Sequence, residues 1–124
     1  MNVVDSSGWL EYFADGPNAD FFAPAVENVE KLLVPSLSLL EVFKRVMVQR
    51  GESEALKSVA HMRQGRVIDL DGPVALVAAR VSLDLKLPLA DSLILATARE
   101  HSAILWTQDS DFEKVEGVKY VARK

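Results

Sequence analysis

The chain has 124 residues, 49% hydrophobic and 26% charged, with a formal net charge of −4 and no cysteine. That profile suits one packed domain over residues 1–124, excludes a disulfide framework and a cysteine-based zinc site, and argues against disorder. The acidic balance argues against holding nucleic acid by charge alone, which needs clustered Lys and Arg, yet it leaves room for a nuclease whose acids are neutralised by metal ions.

In chain order, Asn2–Val4 reads as a short buried strand. Ser6-Ser7-Gly8 opens a helix carrying Trp9, Leu10, Tyr12 and Phe13, which Gly16-Pro17 ends. Residues 20–29 read as a second helix, and residues 31–34 as a strand stopped by Pro35. Ser36 is placed as the cap of a long helix running from Leu37 to about Arg50, where Gly51 ends it. Another helix covers residues 52–64, up to Gly65, and "RVIDL" at 66–70 is a strand. Asp71-Gly72-Pro73 turns into a helix over 74–86, and Pro88 interrupts the chain before a helix at 91–100. "AILW" at 103–106 is a strand, residues 108–113 form a turn or short helix, and residues 118–121 form a last strand. Short, continuously apolar strands alternating with helices predict an α/β fold: a parallel sheet between two helical layers, a three-layer α/β/α sandwich. No apolar run reaches the roughly 20 residues that span a bilayer, and the first residues lack the pattern of a secretory signal. A cytoplasmic protein without membrane attachment is expected.

Acids stand at the ends of these apolar elements. In open α/β sheets ligands gather at the carboxyl ends of strands. Asp5 follows the first strand, and Thr107-Gln108-Asp109-Ser110-Asp111 follows "AILW". Each of Asp5 and Asp109, taken alone, reads equally as a helix N-cap. Asp91 opens a helix with no charge from Ser92 to Ala98 and shares a face with Leu95 and Ala98, so its carboxyl is partly buried. Its bland alternative is again an N-cap favoured by the helix dipole. Glu41 lies at the border of an apolar helix face, where an i,i+4 ion pair with Arg45 is the bland alternative. As a set, four clustered carboxylates repel unless a cation joins them, and oxygen-only ligands select Mg²⁺ or Mn²⁺. The chemistry suited to such a centre is phosphodiester hydrolysis. His61 and His101 have no nucleophile motif beside them, and His101 reads as a helix C-terminal residue.

Four stretches, "VVDSS", "SLLEV", "LPLADSLILATA" and "LWTQDSDF", together resemble the signature blocks of the PIN domain, in the size and order of its VapC-type toxin branch. The resemblance runs over essentially the whole chain. It implies a metal-dependent endoribonuclease of single-stranded or looped RNA, leaving a 5′-phosphate and a 3′-hydroxyl. It makes Asp5, Glu41, Asp91 and Asp109 the metal-binding catalytic acids. Ser6 would hold a water or ligand at the metal, Thr107 would position the last acid, and Asp111 would support or share its role. Ser38, one turn before Glu41, stands at a polar position of the family. The resemblance also implies a homodimer and a VapB-like antitoxin that inserts a segment into the acidic pocket. Phe21, Phe22, Phe43 and Met47 are candidates for such surfaces, with ordinary core as their alternative. Lys44 and Arg45, one turn beyond Glu41, are candidates for holding the RNA backbone.

Two rivals differ in kind. One is a PIN-like module retained only for binding RNA or protein. The other is a phosphoacceptor receiver domain, for which Asp69 and Lys119 come near the required positions, although Asp5 lacks an acidic neighbour and Lys119 lies inside its strand.

Overall fold

A computed structural model describes every residue from Met1 to Lys124. Five parallel strands form one sheet in the order β3-β2-β1-β4-β5. They are β1 (Asn2–Val4), β2 (Leu32–Pro35), β3 (Arg66–Ile68), β4 (Ile104–Thr107) and β5 (Val118–Tyr120). Six helices connect them: α1 (Ser6–Phe13), α2 (Ala19–Glu27), α3 (Ser36–Arg50), α4 (Glu52–Met62), α5 (Gly72–Leu85) and α6 (Leu89–Glu100).

The central strands β1 and β2 are almost wholly buried, as their unbroken apolar runs demand, while the edge strands β3 and β5 are partly exposed. Side chains alternate across the sheet. Val4, Leu32 and Val34 point to one face, where Trp9, Phe22, Val42, Val46 and Met62 cover them. Val3, Leu33 and Leu105 point to the other, beneath Val81, Ile94, Leu95 and Phe112. The three-layer architecture therefore follows from the pattern of the strands. No helix is long and apolar enough to cross a membrane.

Two glycines hold close geometry. Gly8 sits where a Cβ would lie 2.6 Å from Phe22 Cε1 and 2.7 Å from Val4 Cγ1, so only glycine lets α1 settle onto β1. Gly51 has φ +91° and joins α3 to α4 in a conformation that an L side chain rarely adopts.

Several boundaries differ from expectation. Pro35 is the last residue of β2 rather than its stop, and Ser36 is the first residue of α3, whose cap is Pro35 with no side-chain bond. β3 is three residues long, because Asp69 and Leu70 are already exposed beyond the sheet. Phe22 is fully buried, and Phe21 and Phe43 pack against the same core, so the core alternative holds for these three. Met47 is exposed.

The topology locates the crevice. From β1 the chain moves outward through β2 to β3, then crosses back to place β4 on the other side of β1. The strand order thus reverses at the β1/β4 boundary, and ligands in open α/β sheets bind beyond the carboxyl ends at such a point. The receiver reading fails here, since it requires β3 beside β1, whereas β3 is an edge strand separated from β1 by β2.

Candidate metal centre

Asp5 is the first residue past β1 and is only 3% exposed. Its N–H still belongs to the sheet, donating to the Trp106 carbonyl at 3.1 Å. Its Oδ1 accepts from the Gly8 N–H at 2.9 Å and the Ser7 hydroxyl at 2.7 Å, while Oδ2 accepts from the Thr107 hydroxyl at 2.6 Å. The cap and the buried acid are one carboxylate doing both things. Of its roughly four acceptor positions, the one left open is on Oδ2. Burial raises its pKa, the bonds from Thr107, Ser7 and Gly8 oppose that rise, and the charge of Asp109 adds to it.

Thr107 ends β4 fully buried. Besides donating to Asp5, its hydroxyl oxygen accepts from the Asp109 N–H at 2.9 Å. One side chain therefore joins the loop after β4 to the acid after β1. Its carboxylate partner is the first acid rather than the last, whose backbone it fixes. Asp109 in turn caps a 3₁₀ turn at Ser110–Phe112, its Oδ1 accepting from the Asp111 N–H at 3.0 Å.

Glu41 comes from α3. Its Oε1 accepts from the Ser6 hydroxyl at 2.7 Å. The ion pair with Arg45 does not form; the one salt bridge of the molecule is Lys57–Glu54, at 3.4 Å. Ser6 thus donates its proton to Glu41.

Asp91 lies in the first turn of α6, whose N-cap is Pro88, so capping does not explain this acid. The helix around it is buried at Ser92, Ile94, Leu95, Ala96, Thr97 and Ala98. The Asp91 carboxyl is pushed up to about 7, first by burial and then by the charges of Asp109, Asp5, Asp111 and Glu41. Five carboxyl groups from β1, α3, α6 and the loop after β4 therefore bear on one place. Asp91, Asp109 and Asp111 each offer an oxygen, and these atoms lie within 4.8 Å of one another. Asp111, expected to support Asp109 or to share its role, stands inside that trio, whereas Asp5 and Glu41 act on Asp91 through their charge.

The donor set suits a hard divalent cation. It is all oxygen, it is crowded enough to hold a proton back near neutrality, and no Lys or Arg bridges to any of its members. Neither the groove between α1, α3 and α4 nor the one beside Leu40 and Leu70 is lined by these acids.

The PIN domain family model matches residues 3–118. The chain belongs to the PIN domain family. No curated protein gives a significant sequence match. Among solved structures, this PIN domain resembles a toxin–antitoxin complex from Klebsiella pneumoniae, with TM-score 0.81 and 20% identity, covering 96% of each chain. It resembles VapC20 of Mycobacterium tuberculosis, described as a sarcin–ricin loop cleaving toxin, with TM-score 0.77 and 14% identity, covering 94% of this chain and 95% of that one. FitAcB of Neisseria gonorrhoeae gives TM-score 0.75 and 20% identity, covering 97% and 96%. At these identities the likeness establishes the fold.

Three contributors escape a sequence reading of this PIN domain. Ser7 binds Asp5, and its only signal is proximity in the chain. Asn18 and Gln108 bond to each other at 3.0 Å across 90 positions, and nothing in either neighbourhood announces it. Of the two histidines, His61 packs edge-on against Trp9, Tyr12 and Phe13, and His101 closes α6 as expected, its Nδ1 2.9 Å from the Thr97 carbonyl.

Proposed function

We propose that this PIN domain, acting as one unit over residues 1–124 in the cytoplasm, is a Mg²⁺- or Mn²⁺-dependent endoribonuclease and the toxin half of a toxin–antitoxin pair. The observation that carries the reading is the convergence of Asp5, Glu41, Asp91, Asp109 and Asp111 at the crossover of a PIN fold. Resemblance to a sarcin–ricin loop cleaving toxin and to toxin–antitoxin complexes supports RNA as substrate and an antitoxin as partner.

Asp91 and Asp109 would hold the ion, with Asp111, Asp5 and Glu41 around it. Bound there, a divalent cation neutralises phosphate charge and makes water a stronger nucleophile at neutral pH. The chain's own residues set the stage. Thr107 locks Asp5 and the Asp109 backbone into one frame, Ser6 turns Glu41 toward the pocket, and Asp91 keeps a proton until a cation replaces it.

Two surfaces suit the expected partners. A groove of about 210 Å³ beside the exposed Leu40 and Leu70, with Leu37, Ile68 and Leu93 in its walls, would pair with a second copy. Another of about 210 Å³, between α1, α3 and α4, is lined by Leu10, Phe13 and Val46 together with Arg50, His61 and the Lys57–Glu54 pair, and would take an antitoxin segment.

The test is incubation of purified protein with a structured RNA in EDTA, Mg²⁺ or Mn²⁺. Cleavage only with a metal ion supports the reading. Equal cleavage in all three contradicts it, and no cleavage in any would leave a fold that only binds.

A further inference from the structure

Five acids form a poor surface for a polyanion, so phosphate must be held by cations placed nearby. Lys31 precedes β2 and Arg66 starts β3, which puts both at the amino edge of the parallel sheet. Arg99 bonds the Glu116 carbonyl ahead of β5, at that same edge. The segment after β5 behaves differently. β5 is parallel to β4 with Thr107 opposite Tyr120, so residues 121–124 emerge at the edge that carries the acids.

That segment is clasped in place. The Val121 N–H donates to the Thr107 carbonyl at 3.1 Å. The Asn18 side-chain amide donates to the Ala122 carbonyl and to Gln108 Oε1, each at 3.0 Å, and Gln108 Nε2 reaches the Ser7 carbonyl at 3.4 Å. Asn18 and Gln108 are 2% and 3% exposed, so a buried amide pair is committed to holding two residues of chain against the loop of Thr107 and Asp109. The Asn18 amide, bonding Gln108 on one side and the Ala122 carbonyl on the other, keeps Ala122 next to the loop that leads from Thr107 to Asp109. Arg123 and Lys124 follow, exposed and without an acidic partner.

We propose that Arg123 and Lys124 form the phosphate clamp of this site, gripping the backbone of a single-stranded RNA on the β5 side of the acid pocket. This rests on the ribonuclease reading. The pair bind and position substrate, and they take no part in the chemical step.

The test compares the parent with R123A/K124A and R123K on a short single-stranded RNA in Mn²⁺, across a series of KCl concentrations. Binding is measured separately on an Asp91→Asn background that leaves RNA intact. The double variant should raise KM about tenfold with kcat unchanged, and lower the slope of log Kd against log salt by about 1.4, the value for two lost phosphate contacts on a single strand. R123K should retain the parent slope, which a merely structural role for the segment does not predict. An unchanged slope with normal cleavage overturns the clamp alone. Binding without cleavage in the parent overturns the ribonuclease reading, and the slope still decides the clamp. A parent that neither binds nor cleaves overturns both.

Discussion

Thr107 donates to Asp5 at 2.6 Å across 102 positions of sequence, and the same oxygen receives the Asp109 N–H at 2.9 Å. A single hydroxyl sets the spacing of two acids from two strands. Thr107→Val keeps the shape and removes both bonds around a buried carboxyl. The expected loss is about 2 kcal/mol of stability, since the bond is made to a charged group. Affinity for Mn²⁺ should fall by about ten- to a hundredfold, as when a partner orienting a metal ligand is removed. Thr107→Ser should keep most of both. Calorimetric titration and thermal melts of the two variants separate these outcomes.

Ser6 plays the same part for Glu41, in a less buried setting. Ser6→Ala should cost about 1 kcal/mol or less and weaken Mn²⁺ about tenfold. An unchanged affinity would mean that Glu41 is oriented by something other than this bond.

The Asp91 carboxyl, raised to about 7, makes the metal-free protein sensitive to pH in a definite direction. In the folded state it binds a proton more tightly than in the unfolded chain. Its contribution is therefore fully present below its ordinary carboxylate range and is lost as pH rises toward 7. Metal-free melting temperatures should fall between about pH 4 and 7, and Mn²⁺ should restore them at the upper end. Asp91→Asn removes the repulsion, so it should raise metal-free stability at pH 8 by up to about 1 kcal/mol, allowing for solvent screening of a half-buried group. It should abolish the Mn²⁺ response. A flat pH profile would show that the acids do not feel each other.

Gly8 lets α1 approach β1 and supplies an N–H to Asp5. Gly8→Ala improves helix propensity by up to about 1 kcal/mol. It also drives a methyl group to 2.6 Å from the Phe22 ring and 2.7 Å from Val4, a kind of overpacking that costs about 1–3 kcal/mol. A net loss of about 1 kcal/mol is expected by chemical denaturation, with reduced Mn²⁺ affinity because the cap of Asp5 shifts.

The order of elements is legible in the sequence because short apolar runs and Gly or Pro punctuation are local signals. Val3-Val4 announces a buried strand, and an acid directly after it announces a strand end. The convergence of Asp5, Glu41, Asp91 and Asp109 is legible through the family blocks, not through periodicity. What escapes is set by tertiary contact. Glu41 chooses Ser6 over Arg45 because α1 packs across α3. Pro35 joins β2 because, as the last residue, it ends opposite Ile68 at the edge of the pairing. Whether Asp111 joins the acids directly, a point the motif leaves open, depends on the turn that Asp109 caps, and the Asn18–Gln108 clasp spans the chain without a local trace.

The most direct measurement of the acid centre is anomalous diffraction from crystals soaked in Mn²⁺. A peak is expected in contact with carboxylate oxygens of Asp91 and Asp109, with Asp5, Glu41 and Asp111 around it, and it should be lost in Asp91→Asn. An empty pocket at saturating Mn²⁺, or a peak held by other residues, would contradict this expectation.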